Sequence, residues 1–201
     1  MKQILVIGNG ESRKNTNLSL LKDSYTTVGC NAIHRDFTVD HLICCDQRMV
    51  VESVTNPNNS NTQIYTRSNW INTFKKFNNV KVVPPLPYSS NERWDDPWHW
   101  GSGPYAVLLG ATLSNHISLI GFDLYGISGK VNNIYKGTSN YSKADSHSID
   151  HSYWVHQISK VFQCFPDKYF TIYNDVQWAM PDSWKLNNVE FKNIDLLNIV
   201  V

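Results

Sequence analysis

Short, nearly continuous apolar runs recur along the chain, with polar or mixed segments between them. The first run, Ile4–Ile7, stops abruptly at a glycine. Continuous rather than alternating apolar positions are typical of strands that are covered on both faces of a parallel sheet. The pattern predicts strands at residues Ile4–Ile7, Tyr25–Cys30, His41–Cys45, Gln63–Thr66, Val80–Val83, Ile117–Gly121 and Phe170–Tyr173.

Two segments have the apolar spacing of helices. Pro104–Leu113 has the composition of a buried helix and is introduced by Gly101-Ser102-Gly103, and proline is well tolerated in a first helical turn. His151–Phe165 can form an amphipathic helix. Strands that alternate with helices predict an α/β fold with a mainly parallel sheet flanked by helices. We find no internal repeat and therefore assign residues 1–201 to one domain.

One long segment, residues 124–148, is rich in Gly, Ser, Asn and Tyr and shows little periodicity. An irregular stretch of this length inside a compact α/β domain is more often a lid or a substrate loop than a linker. We therefore predict a lid-like segment there.

Composition and charge exclude several classes of protein. The net charge of +1 contains no basic excess that would hold a polyanion, so no nucleic-acid partner is expected. Cys30, Cys44, Cys45 and Cys164 show no CxxC spacing and suit small buried side chains in a reducing compartment. No early apolar stretch is long enough for a signal peptide or a membrane span. These features predict a cytoplasmic protein, and the Asn-rich, Lys-over-Arg usage suggests a phage or marine bacterial source.

Polar residues and glycines follow several of the predicted strands. In Gly8-Asn9-Gly10 two glycines bracket an asparagine directly after the first strand, although the dinucleotide fingerprint GxGxxG is broken by Arg13. Ligands of open parallel sheets bind outside the carboxyl ends of the strands, and a helix N-terminus attracts anions. Asn9 could instead hold a left-handed turn, and Ser102 could be a helix cap. The convergence on one edge favours a nucleotide site made of Gly8, Asn9, Gly10, Asn31, Asp46, Ser102, Gly103 and Asp123.

Histidines and acids concentrate in residues 145–156. A metal site is conceivable there, but His147 and His151 lack an HExxH-like pattern, and we predict no metal. A histidine near a helix start beside a nucleotide cleft suits a general base, because its ordinary pKa lies near neutral pH. The acidic pair Asp95-Asp96 lies in a Pro- and Trp-rich loop and is interpreted as a solvated turn.

Six short motifs follow one another along the chain: GNGES (8–12), CNAIH (30–34), GSGPYAVLLGATL (101–113), ISLIGFDLYG (117–126), NIYKG (133–137) and DHS (150–152). This ordered set resembles the bacterial sialyltransferases of glycosyltransferase family 42. The resemblance implies a single Rossmann-like domain with a lid that binds a CMP-sugar without a metal or other cofactor. It also implies a glycan or small-molecule acceptor, and it leaves a homo-oligomer open.

Roles for individual residues follow from this resemblance. Asn9 and Asn31 match the asparagines that contact the donor nucleotide, and Ser102 and Gly103 match residues on its ribose and base side. The catalytic residues are carried over in the same way. Tyr125 and Tyr135 match two tyrosines that hydrogen-bond the leaving phosphate, the second of them from the lid, and His151 matches the general base. The implied reaction is an inverting displacement at the anomeric carbon.

A second resemblance gives an alternative. Archaeal-type pterin diphosphokinases share a GxGxS start, an acidic residue after a middle strand, and a glycine-introduced helix before a GxD strand. Such an enzyme would transfer a diphosphate from ATP and would hold Mg²⁺ near Asp46 and Asp123. Asp46 stands where the sialyltransferase family has an asparagine, and Trp98-His99-Trp100 stand where it has a basic residue. A nucleotide-binding protein without catalysis is the third hypothesis.

Overall fold

The computed structural model describes residues 2–198 and contains one eight-stranded sheet in which every neighbouring pair is parallel. The spatial order of the strands is β5-β4-β3-β2-β1-β6-β7-β8. The predicted α/β fold with a parallel sheet flanked by helices is confirmed. The strands are β1 (Gln3–Ile7), β2 (Tyr25–Cys30), β3 (His41–Ile43), β4 (Gln63–Thr66), β5 (Val80–Val82), β6 (His116–Ile120), β7 (Tyr169–Asn174) and β8 (Val189–Asn193).

The helices pack against both faces of this sheet. Successive residues of β1 alternate between two core clusters: Val6 packs with α4 and α5, whereas Leu5 packs with residues of α2. A strand that is covered on both faces needs apolar residues at consecutive positions, which explains the continuous runs. The helices are α1 (Leu18–Leu21), α2 (Gln47–Thr55), α3 (Ser68–Ile71), α4 (Ser102–Leu113) and α5 (Ser152–Cys164). None of those within residues 2–198 is long and apolar enough to cross a bilayer.

The sheet has one topological switch point, between β1 and β6. The chain builds outward from β1 to β5, then returns to place β6 on the other side of β1 and builds outward to β8. The connection after β1 therefore leads toward β2, and the connection after β6 leads toward β7 on the opposite side. Because the two connections diverge, a crevice lies between them at the carboxyl edge of the sheet. Such a crevice at the carboxyl edge is where open α/β sheets bind ligands.

The C-terminal part of the described chain contains a strand that was not predicted. The segment from Val189 has too mixed a pattern to be read as a strand, yet it forms the edge strand β8, which pairs with β7. An edge strand is solvated along one side, so a continuous apolar run is not required there. Ile194 and Leu197 then pack into the core. The last apolar residues, 199–201, lie outside the described residues.

The interpretation of Asp95-Asp96 as a solvated turn holds for Asp96, which is exposed, and is wrong for Asp95. Asp95 is only 5% exposed. Its carboxylate accepts hydrogen bonds from the Tyr88 hydroxyl and from His156 Nε2, both at 2.8 Å. Burial by itself raises the pKa of Asp95, but the hydrogen bonds from Ser90, Tyr88 and His156 outweigh burial and leave that pKa below its ordinary value. Asp95 is therefore a buried structural acid, held by two residues of its own loop and by the distant His156.

We expect Asp95→Asn to lower the free energy of unfolding by about 1–3 kcal/mol at pH 7, the range for hydrogen bonds to a buried charged group. Because the folded-state pKa is depressed, this contribution is complete above the ordinary carboxyl pKa and is lost as pH falls through the lower, folded-state value. Urea unfolding of both proteins between pH 3 and pH 7 measures this difference. Asp96→Asn is the matched control, since Asp96 is exposed and its N-cap bond to Trp98 N is one that Asn also makes. A difference that stays constant down to pH 3 would contradict the assignment.

Candidate active site

A cavity of about 340 Å³ opens at the switch point, on the carboxyl edge of the sheet. Its floor comes from the ends of β1, β2, β3 and β6, one wall is the start of α4, and residues 126–149 contribute its roof. All of the residues predicted to bind the nucleotide line it, namely Gly8, Asn9, Gly10, Asn31, Asp46, Ser102, Gly103 and Asp123. The structure thus brings together in one cavity residues that were predicted to lie at four separate strand ends and at one helix start.

The two glycines after β1 are required by contacts inside the protein. A Cβ on Gly8 would lie 2.3 Å from the carbonyl oxygen of Gly121, and a Cβ on Gly10 would lie within 2.6 Å of both carboxylate oxygens of Asp123. In addition, Gly8 N and Gly10 N donate to the carbonyls of Ile120 and Gly121, each at 2.8 Å. The glycines therefore allow the loops after β1 and β6 to touch, and their role toward a ligand stays a prediction.

The carboxylate of Asp123 is occupied by the protein itself. It accepts hydrogen bonds from Ser12 N at 2.9 Å, from the Ser12 hydroxyl, and from Asn174 Nδ2 at 3.4 Å. Asp123 is also 6% exposed. This acid fastens the loops after β1, β6 and β7 to one another, which leaves little of it for a ligand.

Asn9 presents an unpartnered acceptor at the cavity. Its Nδ2 donates to the carbonyl of Cys30 at 3.1 Å and to the Tyr141 hydroxyl at 3.3 Å, whereas its Oδ1 is buried with no hydrogen-bond partner. Leaving a buried acceptor unpaired costs about 1–3 kcal/mol, which a ligand donor would offset. Asn9 does not adopt a positive φ; among the asparagines that line the cavity, Asn31 is the one in the left-handed region, with φ 51°.

The Ser102 hydroxyl joins three elements. It donates to Asn31 Oδ1 at 2.8 Å and accepts from Cys45 N at 3.0 Å, which ties the start of α4 to the ends of β2 and β3. Ser102 is the first residue of α4 and makes no side-chain cap. The helix therefore points its N-terminal N–H groups and its positive dipole end at the cavity, where they favour negative charge.

The tyrosines are distributed differently from the prediction. Tyr125 lines the cavity, and burial raises the pKa of its phenol. Tyr135 does not line the cavity: it is 6% exposed, donates to Asp36 at 2.5 Å and accepts from Arg13 at 3.2 Å. Its place in the wall is taken by Tyr141, whose ring centroid lies 5.8 Å from that of Tyr135. The sequence reasoning missed Tyr141, although it lies in the predicted lid.

The lid-like segment 124–148 contains two isolated β-bridges and neither a helix nor a strand, and it is anchored at several points. Ile134 N donates to the Asn9 carbonyl at 2.8 Å, and Glu11 N donates to Asn132 Oδ1 at 2.8 Å. Arg35 donates to the Thr138 hydroxyl at 2.7 Å and to the Ser139 carbonyl at 2.9 Å. These bonds hold the segment over the cavity.

His151 lies in a neighbouring open groove of about 560 Å³ rather than in the main cavity. It stands at the start of α5, and its ring meets the edge of Tyr125 with the centroids 4.6 Å apart. Because Tyr125 lines both spaces, it forms the partition between them. His156, which Asp95 binds, lines the same groove. A base at the partition can act on a group that enters from the groove and reacts with a ligand in the cavity.

Charged side chains in the cavity wall are few. Asp46 is exposed at one rim, and Arg67, which the sequence analysis did not single out, is the one Lys, Arg or His side chain that lines the cavity within the described part of the chain. Between residues 2 and 198 no three His, Cys, Asp or Glu side chains form a group that could hold a metal ion.

No family model matches the chain, and no curated protein matches it either. Two solved structures are similar to it over 96% of its length and 88% of theirs. One is the sialyltransferase CstII, as a Tyr-to-Phe variant in complex with CMP, with a TM-score of 0.55 and 16% identity. The other is CstII from Campylobacter jejuni in complex with the substrate analogue CMP-3FNeuAc, with a TM-score of 0.51 and 17% identity. At this identity the likeness shows the fold.

Proposed function

We propose that the chain is a sialyltransferase-like glycosyltransferase, which binds a CMP-activated sugar in the main cavity and transfers the sugar to an acceptor hydroxyl. The observation that carries the proposal is the convergence of the predicted nucleotide residues around one cavity, in a fold similar to that of a sialyltransferase in complex with CMP. The polar wall of amide, hydroxyl and backbone groups suits a nucleotide. The CMP-sugar would place one of its own N–H or O–H groups opposite Asn9 Oδ1, which has no hydrogen-bond partner in the protein.

The proposed reaction is a direct displacement with inversion. The acceptor oxygen forms a bond to the anomeric carbon, the bond from that carbon to the phosphate oxygen breaks, and the electron pair leaves with CMP. His151 takes the proton of the acceptor hydroxyl from the groove side of the partition.

Charge develops on the departing phosphate and needs hydrogen-bond donors. Tyr125 lines the cavity as a neutral phenol, because burial raises its pKa. The Tyr141 hydroxyl already accepts from Asn9 Nδ2 and from Ala32 N, so its own proton is free to point at a ligand. In place of Tyr135, we assign the second phosphate-binding role to Tyr141. Donors that meet charge as it develops lower the barrier more than they strengthen ground-state binding.

The diphosphokinase alternative requires carboxylates that are free to bind Mg²⁺. Of its two candidates, Asp46 is exposed at the rim, whereas Asp123 already accepts three hydrogen bonds from Ser12 and Asn174. The geometry therefore favours the glycosyltransferase over the kinase.

We expect CMP to stabilise the protein both with Mg²⁺ and with EDTA, by about 2.7 kcal/mol at a hundred times its dissociation constant. The melting temperature with CMP, UDP, GDP, ADP and ATP measures this. Asn31→Gly should abolish the shift, since glycine adopts φ 51° freely and the substitution removes the amide together with the hydrogen bond it accepts from Ser102. Asn140→Gly is the matched control, because Asn140 has φ 65° and is exposed outside the cavity wall.

Stabilisation by ATP that depends on Mg²⁺ would replace this proposal with the diphosphokinase reading. Stabilisation by CMP without any transfer or hydrolysis of a CMP-sugar would leave a nucleotide-binding protein.

A further inference from the structure

Arg67 is held firmly at the cavity wall. It directly follows β4 and caps the short helix α3. Its Nη2 donates to the carbonyl of Trp100 at 2.8 Å, and its guanidinium carbon lies 5.2 Å from the ring centroid of Trp98. A guanidinium fixed from behind in this way loses little further freedom when it binds a ligand.

Within residues 2–198 the same guanidinium has no counter-ion. No carboxylate of these residues lies within 4.0 Å of it, and its Nε is buried without a hydrogen-bond partner. The neighbouring thiol of Cys45 does not supply a charge, because burial raises its pKa to about 11 and keeps it neutral. An unpaired, partly desolvated cation beside a cavity is costly unless an anion enters.

One nearby feature favours an anion at this end of the cavity, and a second favours hydroxyl groups beside that anion. The Trp100 carbonyl that holds Arg67 lies two residues before Ser102, where α4 directs its N-terminal N–H groups toward the cavity. The second feature is the exposed carboxylate of Asp46 in the same wall, which suits sugar hydroxyls. A ligand that carries an oxyanion and neighbouring hydroxyls would match this wall, with the oxyanion at Arg67 and the hydroxyls at Asp46.

We propose that Arg67 anchors an oxyanion of the donor, through charge-assisted hydrogen bonds from the guanidinium N–H groups that the Trp100 carbonyl does not occupy. This inference rests on the proposed function, which it extends to a specificity for anionic donors. The oxyanion is either the phosphate of the nucleotide or the carboxylate of an acidic sugar. Both offer the same charged oxygen acceptor to a guanidinium.

The test is calorimetric titration of wild type and Arg67→Gln with cytidine, CMP and CMP-3FNeuAc. We expect the variant to bind the anchored ligand about 10- to 100-fold more weakly, as for the loss of a hydrogen bond to a charged group. If the phosphate is anchored, CMP and CMP-3FNeuAc both weaken and cytidine does not. If the sugar carboxylate is anchored, only CMP-3FNeuAc weakens.

Two further variants separate binding from structure. Arg93→Gln removes the same charge from an exposed site outside the cavity wall and should change no affinity. Arg67→Lys keeps the charge and should retain part of the affinity. Equal weakening of all three ligands, cytidine included, would show that Arg67 only supports Trp98 and Trp100, and unchanged binding of all three would likewise overturn the proposal.

Failure of the proposed function would look different. Wild type would then bind none of the three cytidine ligands but would bind another nucleotide. In that case the affinities of wild type and Arg67→Gln are compared for that nucleotide and for its nucleoside. A wild-type protein that binds no nucleotide overturns both proposals.

Discussion

His151→Ala should lower the rate of sugar transfer by about 10²- to 10⁴-fold, the usual contribution of a general base. The affinity for CMP-3FNeuAc should stay at the wild-type value, because His151 lies in the groove beyond Tyr125 and does not line the cavity. The loss should therefore fall on kcat and leave donor binding unchanged. The measurement is release of CMP from a CMP-sugar in the presence of a panel of glycan acceptors, combined with titration of the analogue.

His147→Ala is the control for this experiment. His147 is exposed, lies four residues earlier and lines neither the cavity nor the groove, so its loss should change neither rate nor affinity. The His151 side chain makes no cap bond to α5, so its loss should leave the start of the helix intact. If His156→Ala abolished transfer while His151→Ala did not, the base would be the histidine that Asp95 orients, and the assignment made here would be wrong.

Gly8→Ala should destabilise the protein by about 3 kcal/mol, at the upper end for overpacking, or roughly 6–12 °C in melting temperature. The new methyl carbon would lie 2.3 Å from the carbonyl oxygen and 2.8 Å from the carbonyl carbon of Gly121. Both partners are backbone atoms at the ends of adjacent strands, so relief requires β1 and β6 to separate. Thermal and urea unfolding measure the effect directly.

Gly103→Ala gives the matched comparison within the same cavity wall. There the nearest atom to an added Cβ is Phe122 Cε1 at 3.6 Å, an ordinary contact. Since the position is helical, alanine should leave stability unchanged or raise it by up to about 1 kcal/mol. Equal losses of stability at Gly8 and Gly103 would contradict the packing argument.

The sheet could be predicted from the sequence because its central strands are buried on both faces. That environment demands consecutive apolar residues, and such runs are visible without any knowledge of partners. β8 and α2 were not predicted, because an edge strand and a half-solvated helix need fewer consecutive apolar residues. The order of the strands in the sheet could not be predicted, because it depends on which connections cross over the sheet and not on the residues of any one strand.

The site could be predicted in part for a similar reason. Parallel strands bring their carboxyl ends to one edge, so polar residues that follow strands meet there, as Asn9, Asn31 and Asp46 do. Arg67 also follows a strand, but the sequence alone does not indicate whether a single arginine in that position binds a ligand, an acid of the protein or solvent. Tyr135 and Tyr141 lie in an irregular segment, where no periodicity indicates which side chain turns inward.

The reason for Gly8 and Gly10 could not be read from the sequence either. Glycine after a strand is equally compatible with the approach of a ligand and with the approach of another loop. Only the position of Gly121 and Asp123, more than half the chain away, distinguishes the two.

The pairing of β1 has a consequence for how the chain folds. β1 is synthesised before β6, yet its hydrogen bonds on one side wait for β6, which follows more than half the chain later. A strand pairing of such long sequence separation slows folding and leaves a strand edge open in the nascent chain. Because the cavity floor lies on the seam between these two strands, we expect the proposed nucleotide binding to arise only when that seam closes.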